Sequence, residues 1–175
     1  RVYKNVCQVS LPGKKWADLF DALCSRGSDQ KRMHPFLAGG PKDFQEQMLR
    51  GWMDGDRQFG NSAVSVSREL ALNMFDIANS HNHMPLLSIH TKAGTRKDGI
   101  DRKDSWKVGW GDKGKPNHGT EQDERYLWRK VRGLEQVEYD GWVHNLEVED
   151  DHSYVAEGVG VHNCWINAPT HCLEI

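Results

Sequence analysis

The chain reads as an α+β protein, on three observations. Three segments repeat apolar residues at helical spacing, two shorter runs alternate as strands, and the last third breaks into β-like runs punctuated by Gly and Asp. Residues 2–10, VYKNVCQVS, alternate loosely and predict a strand. GKKWADLFDALCSRG follows, with Trp16, Leu19, Phe20 and Leu23 on one helical face and Gly27 as its stop. Pro35 and Pro41 bracket a turn. KDFQEQMLRGWMDGD then gathers Phe44, Met48, Leu49, Trp52 and Met53 on a second helical face. Residues 62–67, SAVSVS, alternate as a strand, and RELALNMFDIANS is a third amphipathic helix. GWGDKGKPNHGTEQ, residues 109–122, is dense in Gly and charge and is the linker candidate. Beyond it, residues 126–163 read as all-β.

Composition bounds the function. A chain of 175 residues has room for one large domain or two small ones. Its formal net charge of -2 decides nothing about nucleic acid, but the charge is unevenly spread. Eight Lys or Arg face four Asp between Lys92 and Lys115, whereas eleven acids face four bases between Gly119 and Asn163. A basic middle and an acidic end point to two units with different work. No apolar run approaches the roughly 18 residues of a membrane span, and no N-terminal signal pattern is present. The first residue is Arg1 and the first Met is Met33, as expected of a piece of a longer protein. Cys7, Cys24, Cys164 and Cys172 are too few and too irregular for a disulfide framework, so a reducing, cytoplasmic setting is expected.

The stretch GVGVHNCW, residues 158–165, places an imidazole, an amide and a thiol side by side. The Asn163 amide can attack its own backbone carbonyl, closing a five-membered ring and breaking the bond to Cys164. Proximity supplies most of the driving advantage. A proton is still needed at the carbonyl or the leaving amine, and His162 is adjacent. His152, ten residues upstream, can take a proton from the amide. Cys164 is a thiol that can accept an acyl group. The alternative is a chance tripeptide at a strand end.

The surrounding residues favour chemistry. WVHNLEVEDDHSYVAEGVGVHNC, residues 142–164, resembles the C-terminal splicing motifs of inteins. Val143, Leu146, Val148, Glu149, His152, Tyr154 and Ala156 match the first motif of that family. Val159, Val161, His162, Asn163 and Cys164 match the second. The resemblance implies that Asn163 cyclises, that His162 and His152 move protons for it, and that Cys164 opens the downstream host segment and is the transesterification nucleophile. Asn145 stands where many inteins carry Asp, which removes an acid that assists the first acyl shift.

A second resemblance lies upstream. LRGWMDGD, residues 49–56, is similar to the helix motif of LAGLIDADG homing endonucleases, which commonly sit inside inteins. Gly51, lacking a Cβ, would let two such helices approach closely. Asp56, at the helix end, would share a Mg²⁺ ion with a second Asp from a partner helix. Arg57 departs from the usual Gly. FLAGG, residues 36–40, is not a second copy of the motif, because Pro41 breaks the helix and Phe44 stands at the ligand position. The first repeat, the N-terminal splicing nucleophile and the Thr-x-x-His motif are all absent from this sequence.

These resemblances imply three parts. Residues 1–118 form a partial endonuclease of αββαββα-like order, residues 119–163 the C-terminal Hint splicing region, and residues 164–175 the start of the host segment. The expected activity is autocatalytic protein splicing in trans with an N-terminal intein fragment, joining the flanking host segments without a cofactor. The alternatives are Mg²⁺-dependent cleavage of double-stranded DNA through Asp56, and an inert remnant. His81 and His83 have no acid or Cys beside them and read as a solvated loop rather than a metal site. The basic stretch 92–115, interleaved with Trp106 and Trp110, is a phosphate-contacting surface or a plain strand pair.

Overall fold

The structure, a computed structural model, describes residues 2–3, 6–7, 10–95, 97, 99–111, 120–124, 126–142, 144, 146–150 and 152–162. Its elements run β1 (Val2–Tyr3), β2 (Val6–Cys7), α1 (Lys14–Cys24), α2 (Pro35–Ala38), α3 (Lys42–Asp56), β3 (Ser62–Ser65), α4 (Arg68–Ser80), β4 (Leu86–Thr91), β5 (Gly94–Thr95), β6 (Asp101–Arg102) and β7 (Ser105–Gly109). Four short strands follow: β8 (Thr120–Gln122), β9 (Leu127–Arg129), β10 (Ser153–Ala156) and β11 (Val159–His162). The α+β class is therefore met, with small antiparallel sheets.

The core sits under a three-stranded antiparallel sheet ordered β3-β7-β4. Its middle row pairs Ala63 with Val108 and Val108 with Leu87. Strand alternation turns that row inward, where Ala63 and Val108 are fully buried. Leu49, Trp52 and Met53 of α3 and Leu70, Met74, Phe75 and Ile77 of α4 close over it. The opposite row, Val64, Lys107 and Ser88, lies on the uncovered face.

Local chemistry sets the helix boundaries. Ser67 ends the run after β3 as the cap of α4, accepting a hydrogen bond from the Leu70 N–H at 3.1 Å. Its hydroxyl also donates to the Lys31 carbonyl, and the Met33 N–H donates to Asn73 Oδ1 at 3.0 Å. Residues 25–34 are thereby tied along α4, and Met33 enters the core. Pro35 starts α2, with the His34 imidazole accepting from the Phe36 N–H, so the expected turn contains one helical turn.

Several expectations need correction. The strand over 2–10 is two short strands, with Tyr3 paired to Val6; loose alternation carries no signal for where a chain reverses. α1 stops at Cys24, before Gly27, because Ser25 already takes a left-handed φ of 59°. Its apolar face is not core: Trp16, Leu19 and Phe20 are exposed. The strand at 62–67 ends at Ser65, since Ser67 serves the cap. The described residues of the basic stretch 92–115 hold β5, β6 and β7, and β7 pairs back with β4 in a long hairpin. Of the linker at 109–122, residues 112–119 lie outside the described residues.

The all-β reading of the last third is met only in part. The hairpins β8–β9 and β10–β11 form, but the described residues between 130 and 150 hold no strand. Trp142 is 88% exposed and Leu134 89%. A strand needs a surface to bury one face against, and these side chains find none among the described residues.

Two outcomes follow from this packing. Val108→Ala should lower stability by about 2–3 kcal/mol, the transfer and cavity cost of two buried methyls, while Leu134→Ala should stay within about 0.5 kcal/mol. Urea midpoints read both. Asp76, on α4, has its carboxyl raised above the ordinary range by burial. Such a group adds stability below its unfolded value and loses it as pH rises through the folded value. Asp76→Asn should thus match the parent near about pH 3 and exceed it near about pH 7, by at most about 0.5 kcal/mol given the partial exposure.

Candidate functional site

The hairpin β10–β11 carries the residues singled out at the C-terminal motif. SYVA and VGVH are separated by Glu157 and Gly158, and both turn residues have positive φ, 49° and 79°. That is the two-residue turn whose twist matches antiparallel strands, and Gly fits it without strain. The turn sets the register: Ala156 opposite Val159, Val155 opposite Gly160, Tyr154 opposite Val161 and Ser153 opposite His162. His152 precedes the first paired residue and takes a left-handed φ of 53°.

This register brings two proton carriers together. The imidazoles of His152 and His162 lie 6.3 Å apart between centroids, tilted by 45°. Both residues are exposed at the open end of the hairpin. The next residues in the chain are Asn163 and Cys164. Those two, together with Asn145 and residues 165–175, lie outside the described residues.

Asp56 lies on a different element. It is the last residue of α3 and is exposed, as are Gly51 and Gly55, where nothing stands within 4 Å of an added Cβ. The neighbouring Asp54 is 3.9 Å from the Arg57 guanidinium. Among the described residues no group of three His, Cys, Asp or Glu is gathered as a metal site. Magnesium demands near-octahedral oxygen coordination, usually through one or two carboxylates and phosphate oxygens. Asp56, exposed and outside any such group, does not supply it, so the residues present do not by themselves fit the ion.

The uncovered sheet face offers a different chemistry. Lys107 lies between Val64 and Ser88, and a recess of about 410 Å³ at that face is lined by Phe59, Ser62, Ser88, Lys107 and Trp110. His83 and Trp110 stack at 4.8 Å, and the His81 Nε2 is buried. The histidine pair is therefore packed against the unit's edge rather than in a solvated loop.

Sequence reasoning missed the residues that hold the hairpin. Arg68 Nη2 of α4 meets Glu157 Oε2 at 2.5 Å across 89 positions of sequence, and its guanidinium lies 5.4 Å from the Trp106 ring centroid. Arg129 stacks over Phe75 at 5.8 Å and donates to the Pro85 carbonyl. No local pattern marks such contacts, and the charge asymmetry of the chain does not point to them, since Arg68 lies outside the basic stretch and Arg129 within the acidic end.

No helix among the described residues is long and apolar enough to cross a membrane. No family model matches the chain, and no solved structure matches it. The chain is similar to an uncharacterized protein of Methanocaldococcus jannaschii, 29% identical over 143 residues, which is 71% of this chain and 18% of that protein. It is also similar to the ATP-dependent DNA helicase Hel308 of Thermococcus kodakarensis, 29% identical over 192 aligned residues, 95% of this chain and 17% of the helicase. The chain thus spans less than one-fifth of the length of each of these relatives.

Proposed function

We propose that the chain is the C-terminal fragment of a self-splicing intein, working in trans with an N-terminal fragment, in a cytoplasmic setting. The observation that carries the reading is the approach of His152 and His162 at the end of the strand that runs into Asn163 and Cys164. Two features support it. Trp142, Val155 and Val159 are exposed, as in a β structure that awaits complementary strands. Similarity confined to under one-fifth of two much longer proteins is in keeping with a module carried inside longer hosts.

In this reading Cys164 receives the upstream host segment as a thioester. The Asn163 side-chain nitrogen then attacks its own carbonyl carbon. The new C–N bond closes a succinimide, the Asn163–Cys164 bond breaks, His152 takes the amide proton and His162 delivers one to the departing amine. The host segments rejoin through a peptide bond once the freed amine attacks the thioester. Every step conserves the number of acyl bonds, so no external energy source enters.

A second reading is favoured by Lys107 at the centre of the uncovered sheet face. Residues 1–118 are then a partial LAGLIDADG unit that meets the phosphates of double-stranded DNA through that face and the basic hairpin. Asp56 would be one of the two carboxylates holding its metal, the other coming from a partner helix.

The splicing reading is tested by mass spectrometry of the chain incubated with N-terminal intein fragments. Asn163→Ala should abolish release of the segment beginning at Cys164, because Ala has no nucleophile to close the ring. Cys164→Ala should block ligation while release continues, with an intein product one water lighter than the open Asn form. His162→Ala and His152→Ala should slow release about hundredfold. Release from Asn163→Ala at the parent rate would overturn the reading. For the DNA reading, the purified chain with Mg²⁺ should leave double-stranded DNA uncut, since one carboxylate is missing. Specific cutting that disappears in Asp56→Asn would show that the second carboxylate is not needed.

A further inference from the structure

We propose that α4 is the seat of the splicing hairpin: Arg68 and Phe75 grip its tip, Glu157–Gly158, and so position the His152–His162 end for cleavage at Asn163. The inference rests on the splicing reading above and assigns the α/β unit a part in it.

Three contacts converge on the tip. Glu157 accepts a 2.5 Å hydrogen-bonded ion pair from Arg68, whose guanidinium also lies over the Trp106 ring, 5.4 Å from its centroid. That hydrogen bond holds the Glu157 carboxyl below its ordinary range. Gly158 comes so close to α4 that an added Cβ would stand 3.0 Å from Phe75 Cδ1 and 3.3 Å from Asp76 Oδ1. Gly158 thus meets two demands, the positive φ of the turn and the close approach to Phe75. The guanidinium of Arg129, the last residue of β9, also lies over the Phe75 ring, 5.8 Å from its centroid.

The consequence is mechanical. A two-stranded hairpin alone is marginal in water, and this one exposes Val155 and Val159. His162 stands in the fourth register pair, four residues from Gly158 at the tip, a span of roughly 14 Å at about 3.4 Å per residue. Clamping the tip against a packed helix fixes the direction in which the strand delivers His162, the residue that precedes Asn163 in the sequence. Arg68 and Phe75 touch no reacting atom and are positioning residues.

The test uses the full chain and two readouts. In NMR spectra, the Gly158 protons should carry a ring-current displacement from Phe75 that is lost in Phe75→Leu. Arg68→Glu should lose the displacement and slow Cys164-segment release about two- to fivefold, the range open to one half-exposed ion pair. The swap Arg68→Glu with Glu157→Arg should restore both, which a merely destabilised fold would not do. Lack of the displacement in the parent would overturn the seat whether or not the chain splices. A displacement lost in Arg68→Glu with release at the parent rate would overturn the positioning role. Displacement without release in the parent, with every N-terminal fragment tried, would overturn the splicing reading and the positioning role while the seat itself stands.

Discussion

Val108 sits at the crossing of the two relations that organise the molecule. Along the sheet it is paired to Ala63 and Leu87, so one residue joins all three strands in a single buried row. Across the layers that row is what α3 and α4 pack on. Burying such a residue contributes about 1.5–3 kcal/mol, but its larger effect is geometric, because both helices pack on the sheet it joins as well as on each other. α4 is oriented by this row, and α4 in turn offers Arg68 and Phe75 to the hairpin tip. The position of two exposed imidazoles is thus traceable, through one helix, to a valine in the middle of a sheet.

Legibility in the sequence tracked the source of each element's stability. α3 and α4 fall where periodicity placed them, Lys42–Asp56 and Arg68–Ser80, because their apolar faces are wide and their ends are marked by Pro41 and Ser67. α1 shows the limit of the same signal. Its face is as regular, yet Trp16 and Phe20 stack on each other in solvent, since periodicity tells which face is apolar and not whether anything covers it. The long β4–β7 hairpin was harder to see because its arms are separated by a charged loop and Ser, Lys and His occupy its uncovered face.

The candidate site divides in the same way. The identities of His152 and His162 were legible from the motif, and the Glu157–Gly158 turn supplies a local reason for their meeting, since a two-residue loop fixes the ladder from Ala156 to Ser153. Arg68 and Glu157 were not legible, because nothing local relates residues 89 apart. Asp56 was placed correctly at the end of α3, but a helix terminus shows only where a carboxylate stands. Among the described residues no group of three metal-ligating side chains gathers around it.

The contrast between the two halves bears on how the chain holds together. The α/β unit encloses a continuous core from Met33 to Val108. From Tyr126 onward, apolar residues such as Trp128, Leu134, Trp142 and Val159 face solvent. Exposed surface of that extent is unfavourable unless another surface covers it, and a hairpin of four paired residues per strand cannot cover it alone. The described contacts restrain this half at Arg129 and at Glu157–Gly158, both on or beside Phe75. Two restraints near one ring fix the tip of the hairpin and the end of β9. Residues 130–150 run between these two restraints, and the apolar side chains exposed among their charges, Val131, Leu134, Val137 and Trp142, are what a further surface would have to cover.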